Sequence, residues 1–129
     1  MNTTSPATKE NEHFINHETI GKMKKGVVII NAARGSLIDV DALIDGLDEG
    51  KIGAVALDVI EGESPVYYKS FKGQPAPLES IEKLSHYPNV ILTPHTAFYT
   101  QNAIVEMVRN SIKSCACEIK GQNNPWKIV

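Results

Sequence analysis

The chain has 129 residues, of which 42% are hydrophobic and 22% charged, a composition typical of one soluble globular domain with a real core. A formal net charge of -2 and a pI near 6.1 exclude the basic stripe of a nucleic-acid-binding protein, and no basic amphipathic helix suggests a membrane surface. No apolar run reaches the length of a membrane span and no signal peptide begins the chain, so the sequence predicts a cytoplasmic protein.

The first predicted elements form a loop, a short helix and a strand. Residues 1–12 are polar and contain a proline, so they are predicted as loop. Asn16 has the chemistry of an N-cap for a helix from His17 to about Lys24, and Gly26 follows its end. The β-branched run Val27–Asn31 then predicts a buried strand.

A second helix and a second strand follow. Asp39 is the predicted N-cap of a helix that Gly50 ends, and the run Ala54–Val59 predicts the strand. Strand, helix and strand in this order indicate a parallel βαβ unit with a right-handed crossover. The helix residues expected to face the core are Ala42, Leu43, Ile44 and Leu47.

The third part of the chain is predicted as a long ordered loop, 62–77, then a short helix, Leu78–Leu84, and a strand at Val90. Long loops inside compact domains are often functional, and aromatic residues favour that interpretation here. The loop carries Pro65, Gly73 and Pro75 as interruptions and Tyr67, Tyr68 and Phe71 as aromatics.

Thr100 is the predicted N-cap of a long closing helix that runs to about Gly121, before a tail, 122–129, in which Trp126 packs on a neighbour. One domain, 1–129, would thus contain βαβ units over 13–100 and this helix. Two cysteines in the helix stand two apart, where they cannot close a disulfide and lack further metal ligands, so both are predicted to pack between helices. The apolar stripe, predicted as core or interface, is Ile104, Val108, Ile112, Cys115 and Ile119; the second cysteine is Cys117.

Ionisable side chains follow each of the three predicted strands. Arg34 comes after the first, Asp58 and Glu63 after the second, and His95 after the third, where Pro94 stops the strand. Because ligands bind outside the carboxyl ends of parallel strands, these four side chains are predicted to share one site.

His95 could be a hydrogen-bonded structural histidine or a proton donor. A carboxylate that accepts from one ring nitrogen would orient the imidazole and favour its charged form; Glu63 is the candidate, with Glu61 as the alternative and a solvated acidic turn as the structural interpretation. Arg34 could form a surface ion pair, or its planar fork could bind the carboxylate of a 2-oxo acid.

Asp58 could cap a helix, pair with a cation or contact a cofactor. Metal binding by Asp58, Glu61, Glu63 and His95 is not predicted, because their spacing matches no zinc or calcium signature.

Three segments, Asn31–Gly35, Ala56–Glu63 and Thr93–Thr100, in this order and spacing, resemble the D-isomer-specific 2-hydroxyacid dehydrogenases. The run from His95 to Thr100 and the insertion after Glu63 resemble the D-lactate dehydrogenase branch, which includes the vancomycin-resistance enzymes. The resemblance implies an α/β fold, the parallel-sheet second half of a Rossmann-type NAD-binding domain with a long C-terminal helix.

The resemblance also implies a role for each motif residue. Arg34 would bind the substrate carboxylate, His95 would protonate the carbonyl oxygen as hydride arrives from NADH, and Glu63 would support His95. Asp58 would contact the nicotinamide end of the cofactor. The remaining implied contacts are Ser5, Pro6, Asn11, Ala32, Ala33 and Arg34 for NAD and Phe98 for the wall of the substrate pocket.

Two expected features of such a domain are missing from the sequence. None of the nine glycines forms the Gly-x-Gly-x-x-Gly turn that seats a pyrophosphate, and the acidic residue for the adenosine ribose is absent. The sequence is therefore interpreted as a truncated gene or a deliberately made fragment that begins after the third strand of a parent domain, with little activity alone.

Three hypotheses follow. The chain could be the catalytic part of a D-lactate dehydrogenase, active on a small 2-oxo or 2-hydroxy acid when the missing amino-terminal half is supplied. It could be a silent fragment that acts as an interaction module, through homo-oligomers or association with that half. It could also be a dehydrogenase for another D-2-hydroxy acid.

Overall fold

The computed structural model describes residues 1–3, 6–66, 69–70, 74 and 78–127. The sequence predicts a single domain; the structure forms two compact units, Met1–Thr96 and Ala97–Val129, and the limits of the domain remain a prediction. The elements in chain order are β1 Asn2–Thr3, α1 His17–Lys22, β2 Val27–Asn31, a 3-10 turn Gly35–Leu37, α2 Val40–Asp48, β3 Ile52–Leu57, α3 Glu79–Ser85, β4 Val90–Leu92 and α4 Gln101–Ile119.

The first unit contains a sheet of four strands in the order β1, β2, β3, β4, and every neighbouring pair is parallel. Asn31 pairs with Leu57, and Leu57 pairs with Leu92. These paired residues are the last in their strands, so the carboxyl ends of β2, β3 and β4 lie level. The predicted parallel α/β fold is confirmed.

The polar start of the chain differs from the prediction. Residues 1–12 are predicted as loop, but Asn2 and Thr3 pair with Ile30 and Asn31 of β2. The Met1 ammonium group also donates to the Val28 carbonyl, at 2.5 Å. Strand pairing uses backbone groups, so an unpaired edge of β2 can add a polar strand that hydrophobic pattern does not reveal.

The predicted N-caps of the first two helices are confirmed. Asn16 Oδ1 accepts from Thr19 N at 3.0 Å, while Asn16 N donates to Thr19 Oγ1 at 2.9 Å, which completes a capping box. Asp39 Oδ1 accepts from the backbone N–H groups of Asp41 and Ala42. The first helix ends at Lys22, two residues before the predicted end.

The second predicted strand is displaced by two residues. It runs over Ile52–Leu57 and not over Ala54–Val59, because its register with β2 begins at Val27 and Ile52 and ends at Asn31 and Leu57. Asp58 therefore stands directly after the strand and not inside it.

The core lies on one face of the sheet. Alternate strand residues such as Ile29 and Val55 are buried there against the helices, whose Leu43 and Leu84 are fully buried. The opposite face carries apolar side chains that remain accessible. They are Val28, 47% exposed, Ile30, 42%, and Ile91, 65%.

The second unit consists of α4 and the residues around it. Thr100 Oγ1 accepts from Ala103 N at 3.2 Å, so the predicted N-cap is confirmed. The apolar stripe predicted as core or interface lies on α4, which has no buried residue. Within the described residues, no helix has the length and apolarity needed to cross a membrane. Tyr67, Tyr68, Phe71, Gly73 and Pro75 of the predicted long loop lie outside the described residues.

Candidate active site

The turns that follow the four strands meet at the carboxyl edge of the sheet. In sheet order they contain residues 6–11, residues 32–35, residues 58–63 and residues 93–96. Since β3 separates β2 from β4, the ends of β2 and β4 lie about 10 Å apart, close enough for one small ligand to reach both.

His95 and Glu63 form a hydrogen-bonded pair at this edge. The distance from His95 Nδ1 to Glu63 Oε1 is 2.7 Å, and the two side chains are 25% and 23% exposed. The second carboxylate oxygen of Glu63 accepts from Ile60 N at 3.0 Å, and Glu63 N donates to Ile60 O at 3.2 Å. Both oxygens of Glu63 are therefore used, which fixes the carboxylate and, through it, the imidazole ring.

The backbone of His95 adopts a left-handed conformation, with φ of 54°. A residue with a side chain adopts this conformation only where its surroundings impose it, and such residues cluster at functional sites. The His95 N–H donates to the carbonyl of Asp58 at 2.8 Å and to that of Thr93 at 3.0 Å. The ends of β3 and β4 together hold the backbone of His95 in place.

Asp58 is buried, 7% exposed, and connects three strand ends. Its Oδ1 accepts from the Thr93 hydroxyl at 2.5 Å and from the Thr96 N–H at 2.8 Å, and its own N–H donates to the Asn31 carbonyl at 2.9 Å. The Asp58 carboxylate therefore closes the turn carrying His95.

The side chain of Asn31 closes the turn that carries Arg34. Asn31 is 1% exposed; its amide donates to the Arg34 carbonyl at 2.9 Å and its oxygen accepts from Ala33 N at 3.0 Å. The Arg34 side chain is exposed, and its Nη1 donates to the Ala33 carbonyl at 2.7 Å. The backbone at Arg34 is therefore fixed while its guanidinium group stays accessible to a ligand.

Gly35 allows the turn after β2 to rest directly on the turn after β3. A Cβ atom built on Gly35 would lie 2.2 Å from the carbonyl carbon of Ile60 and 2.3 Å from the nitrogen of Glu61. Both are backbone atoms, which cannot rotate away as the end of a side chain can. Only glycine fits at this position.

Glu61, the alternative carboxylate for His95, binds a different histidine. His13 Nε2 lies 2.8 Å from Glu61 Oε2. This hydrogen bond is the main reason that the pKa of His13 is raised above its ordinary value; slight burial lowers it, and the carboxylates of Glu61, Asp39 and Glu12 raise it through charge.

The resemblance also implies Asn11 and Ser5 for NAD and Phe98 for the substrate pocket. Asn11 closes the turn after β1, since its Oδ1 accepts from Thr8 N at 2.7 Å and its amide donates to the Pro6 carbonyl at 2.8 Å. Ser5 lies outside the described residues. Phe98 belongs to the second unit, where its ring meets that of Tyr99 edge to face at 6.0 Å.

Sequence patterns missed four residues that build this site. The position of Asn31 could have indicated its role, because a polar residue at the end of a buried apolar strand must find hydrogen-bond partners. Gly35 and Thr93 stand inside the recognised motifs but were given no role. His13 carried no signal, because its partner is 48 residues away. Among the described residues, no three histidine, cysteine or carboxylate side chains gather as metal ligands.

The fold and this edge define the nucleotide-binding class of parallel α/β domains, whose sites lie beyond the carboxyl ends of the strands. Residues 2–97 match the family model described as "D-isomer specific 2-hydroxyacid dehydrogenase, NAD binding domain". The chain belongs to this family, as its motifs predict.

Relatives with known names support the same membership. A D-lactate dehydrogenase of Leuconostoc mesenteroides subsp. cremoris is 47% identical over 117 residues, which are 91% of this chain and 35% of that protein. An aromatic 2-oxoacid reductase of Clostridium sporogenes is 45% identical over 118 residues, 91% of this chain and 36% of that protein. The chain therefore spans about a third of the length of the curated relatives that it matches.

Solved structures agree with the fold. A D-lactate dehydrogenase from Treponema pallidum superposes with a TM-score of 0.94 at 41% identity, covering 99% of this chain and 39% of that one. A D-lactate dehydrogenase with NAD+ from Lactobacillus jensenii superposes with a TM-score of 0.90 at 30% identity. The match covers 99% of this chain and 38% of that one. The Rossmann-type interpretation is confirmed.

Replacing Gly35 by alanine should destabilise the first unit by about 3 kcal/mol, because the new Cβ must displace the Ile60–Glu61 backbone. Urea unfolding measures this loss. Gly21→Ala is the matched control: its Cβ would meet no atom within 4 Å, and alanine favours the helix, so it should be neutral or stabilising. Equal stability of Gly35→Ala and the unmodified chain would contradict the packing described.

The His13–Glu61 pair should give a pH-dependent contribution to stability. Because the folded pKa of His13 is raised, that contribution is fully present below the unfolded value of about 6.5 and is lost as pH rises through the folded pKa. Both side chains are about two-fifths exposed, at 42% and 39%, so solvent screening limits it to about 0.5 kcal/mol. Urea unfolding of the unmodified chain and of His13→Gln at about pH 5.5 and about pH 9 measures how their difference in free energy of unfolding changes with pH. We expect the difference to shrink as pH rises, and a difference that grows would contradict the prediction.

Proposed function

We propose that this chain is the C-terminal catalytic part of an NAD-dependent D-2-hydroxyacid dehydrogenase that reduces a 2-oxo acid such as pyruvate. The observation that carries the proposal is the His95–Glu63 pair, at 2.7 Å, on the strand-end edge that also carries Arg34. The names of the relatives support the reaction class, since the Leuconostoc, Treponema and Lactobacillus jensenii proteins are all D-lactate dehydrogenases.

His95 acts as the proton donor. Its Nδ1 donates to the Glu63 carboxylate, so Nε2 is the ring nitrogen that delivers a proton to the carbonyl oxygen of a 2-oxo acid. The Glu63 carboxylate orients the ring through this hydrogen bond. In the opposite direction Nε2 accepts the proton of the hydroxyl group, and Glu63 stabilises the charge that forms.

Arg34 binds the carboxylate of the acid. Its guanidinium group presents two parallel N–H donors, which match the two oxygens of a carboxylate. Binding at the end of β2 leaves the adjacent carbonyl carbon between Arg34 and His95, across the end of β3.

The nicotinamide cofactor supplies the hydride when it is bound. The strand ends fit it in part: the exposed Ala32 and half-buried Ala33 leave the backbone after β2 accessible, and the turn closed by Asn11 follows β1. Ser5, Pro6, Arg34 and Asp58 complete the proposed contacts. No glycine-rich turn for the pyrophosphate exists in the sequence, so we expect weak NAD binding and little turnover by this chain alone.

Two further functions have support from specific observations. The relative named aromatic 2-oxoacid reductase is nearly as similar as the D-lactate dehydrogenases, which favours an acid bulkier than pyruvate as an alternative substrate. The exposed Val28, Ile30 and Ile91 favour an interaction module that associates with the remaining part of such an enzyme or with itself, because parallel sheets are normally covered on both faces.

A chimera tests the proton donor. The 117-residue segment of the Leuconostoc enzyme that matches this chain is replaced by the chain's own, and NADH absorbance is followed with pyruvate or phenylpyruvate. We expect turnover by the chimera, none by the isolated chain, and a loss of about 10² to 10⁴ in kcat in His95→Gln, since general acid catalysis contributes that much.

His17→Gln is the matched control for this chimera, because His17 also binds a carboxylate, that of Asp45, but lies on α1. Its kcat should equal that of the parent chimera. Full activity in His95→Gln would reject His95 as the proton donor, and ordinary turnover by the isolated chain would reject the need for the rest of the enzyme.

Arg34→Lys in the same chimera should lower kcat/KM for the 2-oxo acid by about 10- to 100-fold, because a lysine ammonium cannot bind a carboxylate through two parallel bonds. Steady-state kinetics with varied acid measure this loss. Arg109→Lys, on the exposed surface of α4, is the control and should change nothing. An unchanged kcat/KM in Arg34→Lys would remove the proposed carboxylate site.

A further inference from the structure

A second histidine–glutamate pair lies next to the proposed catalytic pair. His13 binds Glu61 at 2.8 Å, and Glu61 is two residues before Glu63, which binds His95 at 2.7 Å. The two carboxylates thus belong to one turn, Ile60–Glu63, and each is held by a histidine from a different part of the chain. The proposed reaction gives His13 no role.

The position of His13 is fixed by its backbone. Its φ is 49°, a left-handed conformation, and its N–H donates to the Ser36 carbonyl at 2.8 Å while its own carbonyl accepts from the Asn16 amide at 2.9 Å. Two residues later Ile15 N donates to Leu37 O at 3.0 Å, and Ile15 is fully buried. The imidazole therefore extends from an anchored segment and not from a mobile loop.

The turn that His13 contacts has mostly short-range bonds of its own. Glu63 and Ile60 bond to each other through backbone and side chain, and Gly62 adopts φ of 72° between them. Gly35 supports the turn from one side, at the Ile60–Glu61 peptide. The His13–Glu61 bond ties the turn to a segment 48 residues away along the chain.

An ordinary surface ion pair looks different in this molecule. His17 and Asp45 lie 2.9 Å apart, but their side chains are 61% and 60% exposed and they join two helices. The His13 and Glu61 side chains are 42% and 39% exposed and join a turn to an anchored segment. Both pairs join a histidine to a carboxylate, but only the His13–Glu61 pair contacts the turn that carries Glu63.

We propose that His13 is a positioning residue that, through Glu61, holds the Ile60–Glu63 turn so that Glu63 presents its carboxylate to Nδ1 of His95. This role rests on the catalytic function proposed for His95. A hydrogen bond of 2.7 Å tolerates little displacement of the acceptor, because its strength falls steeply with distance and angle. Release of Glu61 allows the turn to shift and weakens the neighbouring bond.

The test measures the His95–Glu63 hydrogen bond directly, in the full 129-residue chain. NMR detects the downfield proton on His95 Nδ1 and its rate of exchange with water. Loss of about 0.5 kcal/mol of positioning should accelerate exchange about twofold in His13→Ala and in Glu61→Ala. His13→Gln, which keeps an N–H donor, should retain most of the protection. Glu63→Ala gives the exchange rate for complete loss, and His17→Ala should equal the unmodified chain.

Two results would overturn the proposal. One is an exchange rate in His13→Ala and Glu61→Ala that matches the unmodified chain; the other is unfolding of both variants, which would make the pair a stability element only. The readout needs no NADH, so it separates the two proposals. An inactive chimera with accelerated exchange in His13→Ala would reject the dehydrogenase function alone, and an active chimera with unchanged exchange would reject the positioning role alone.

Discussion

The buried carboxylate of Asp58 is the interaction on which the strand-end site depends. It binds the hydroxyl of Thr93 and the N–H of Thr96, while its backbone binds Asn31 and His95. Burial of a polar group is costly unless hydrogen bonds satisfy it, so these partners are required and not incidental. One residue thereby joins the ends of β2, β3 and β4 and imposes the left-handed backbone of His95.

The turns around this residue support one another in the order of the strands. The turn after β2 rests on the turn after β3 through Gly35, and the turn after β3 binds the turn after β4 through Glu63 and His95. The turns that carry Arg34 and His95 are therefore both in contact with the turn after β3. This arrangement combines a fixed imidazole with an accessible guanidinium group, which is what the proposed binding of a small acid and proton transfer to it require.

Local sequence predicted most of the fold, because its signals are local. The N-caps Asn16, Asp39 and Thr100 stood where the structure has them, and the apolar runs gave β2 and β4. The failures have physical reasons. Strand β1 forms through backbone pairing with β2 alone, and the limits of β3 are set by its register with β2. The pattern of hydrophobic residues therefore predicts neither of them. The family resemblance named His95 and Glu63 together, but the His13–Glu61 bond, between distant segments, required coordinates.

The uncovered face of the sheet also determines how this chain responds to temperature. Unfolding exposes less apolar surface when Val28, Ile30 and Ile91 are already in contact with water. Because newly exposed apolar surface dominates the heat capacity change of unfolding, that change is smaller per residue than in a sheet covered on both sides. The free energy of unfolding then varies less steeply with temperature, and its maximum is broad.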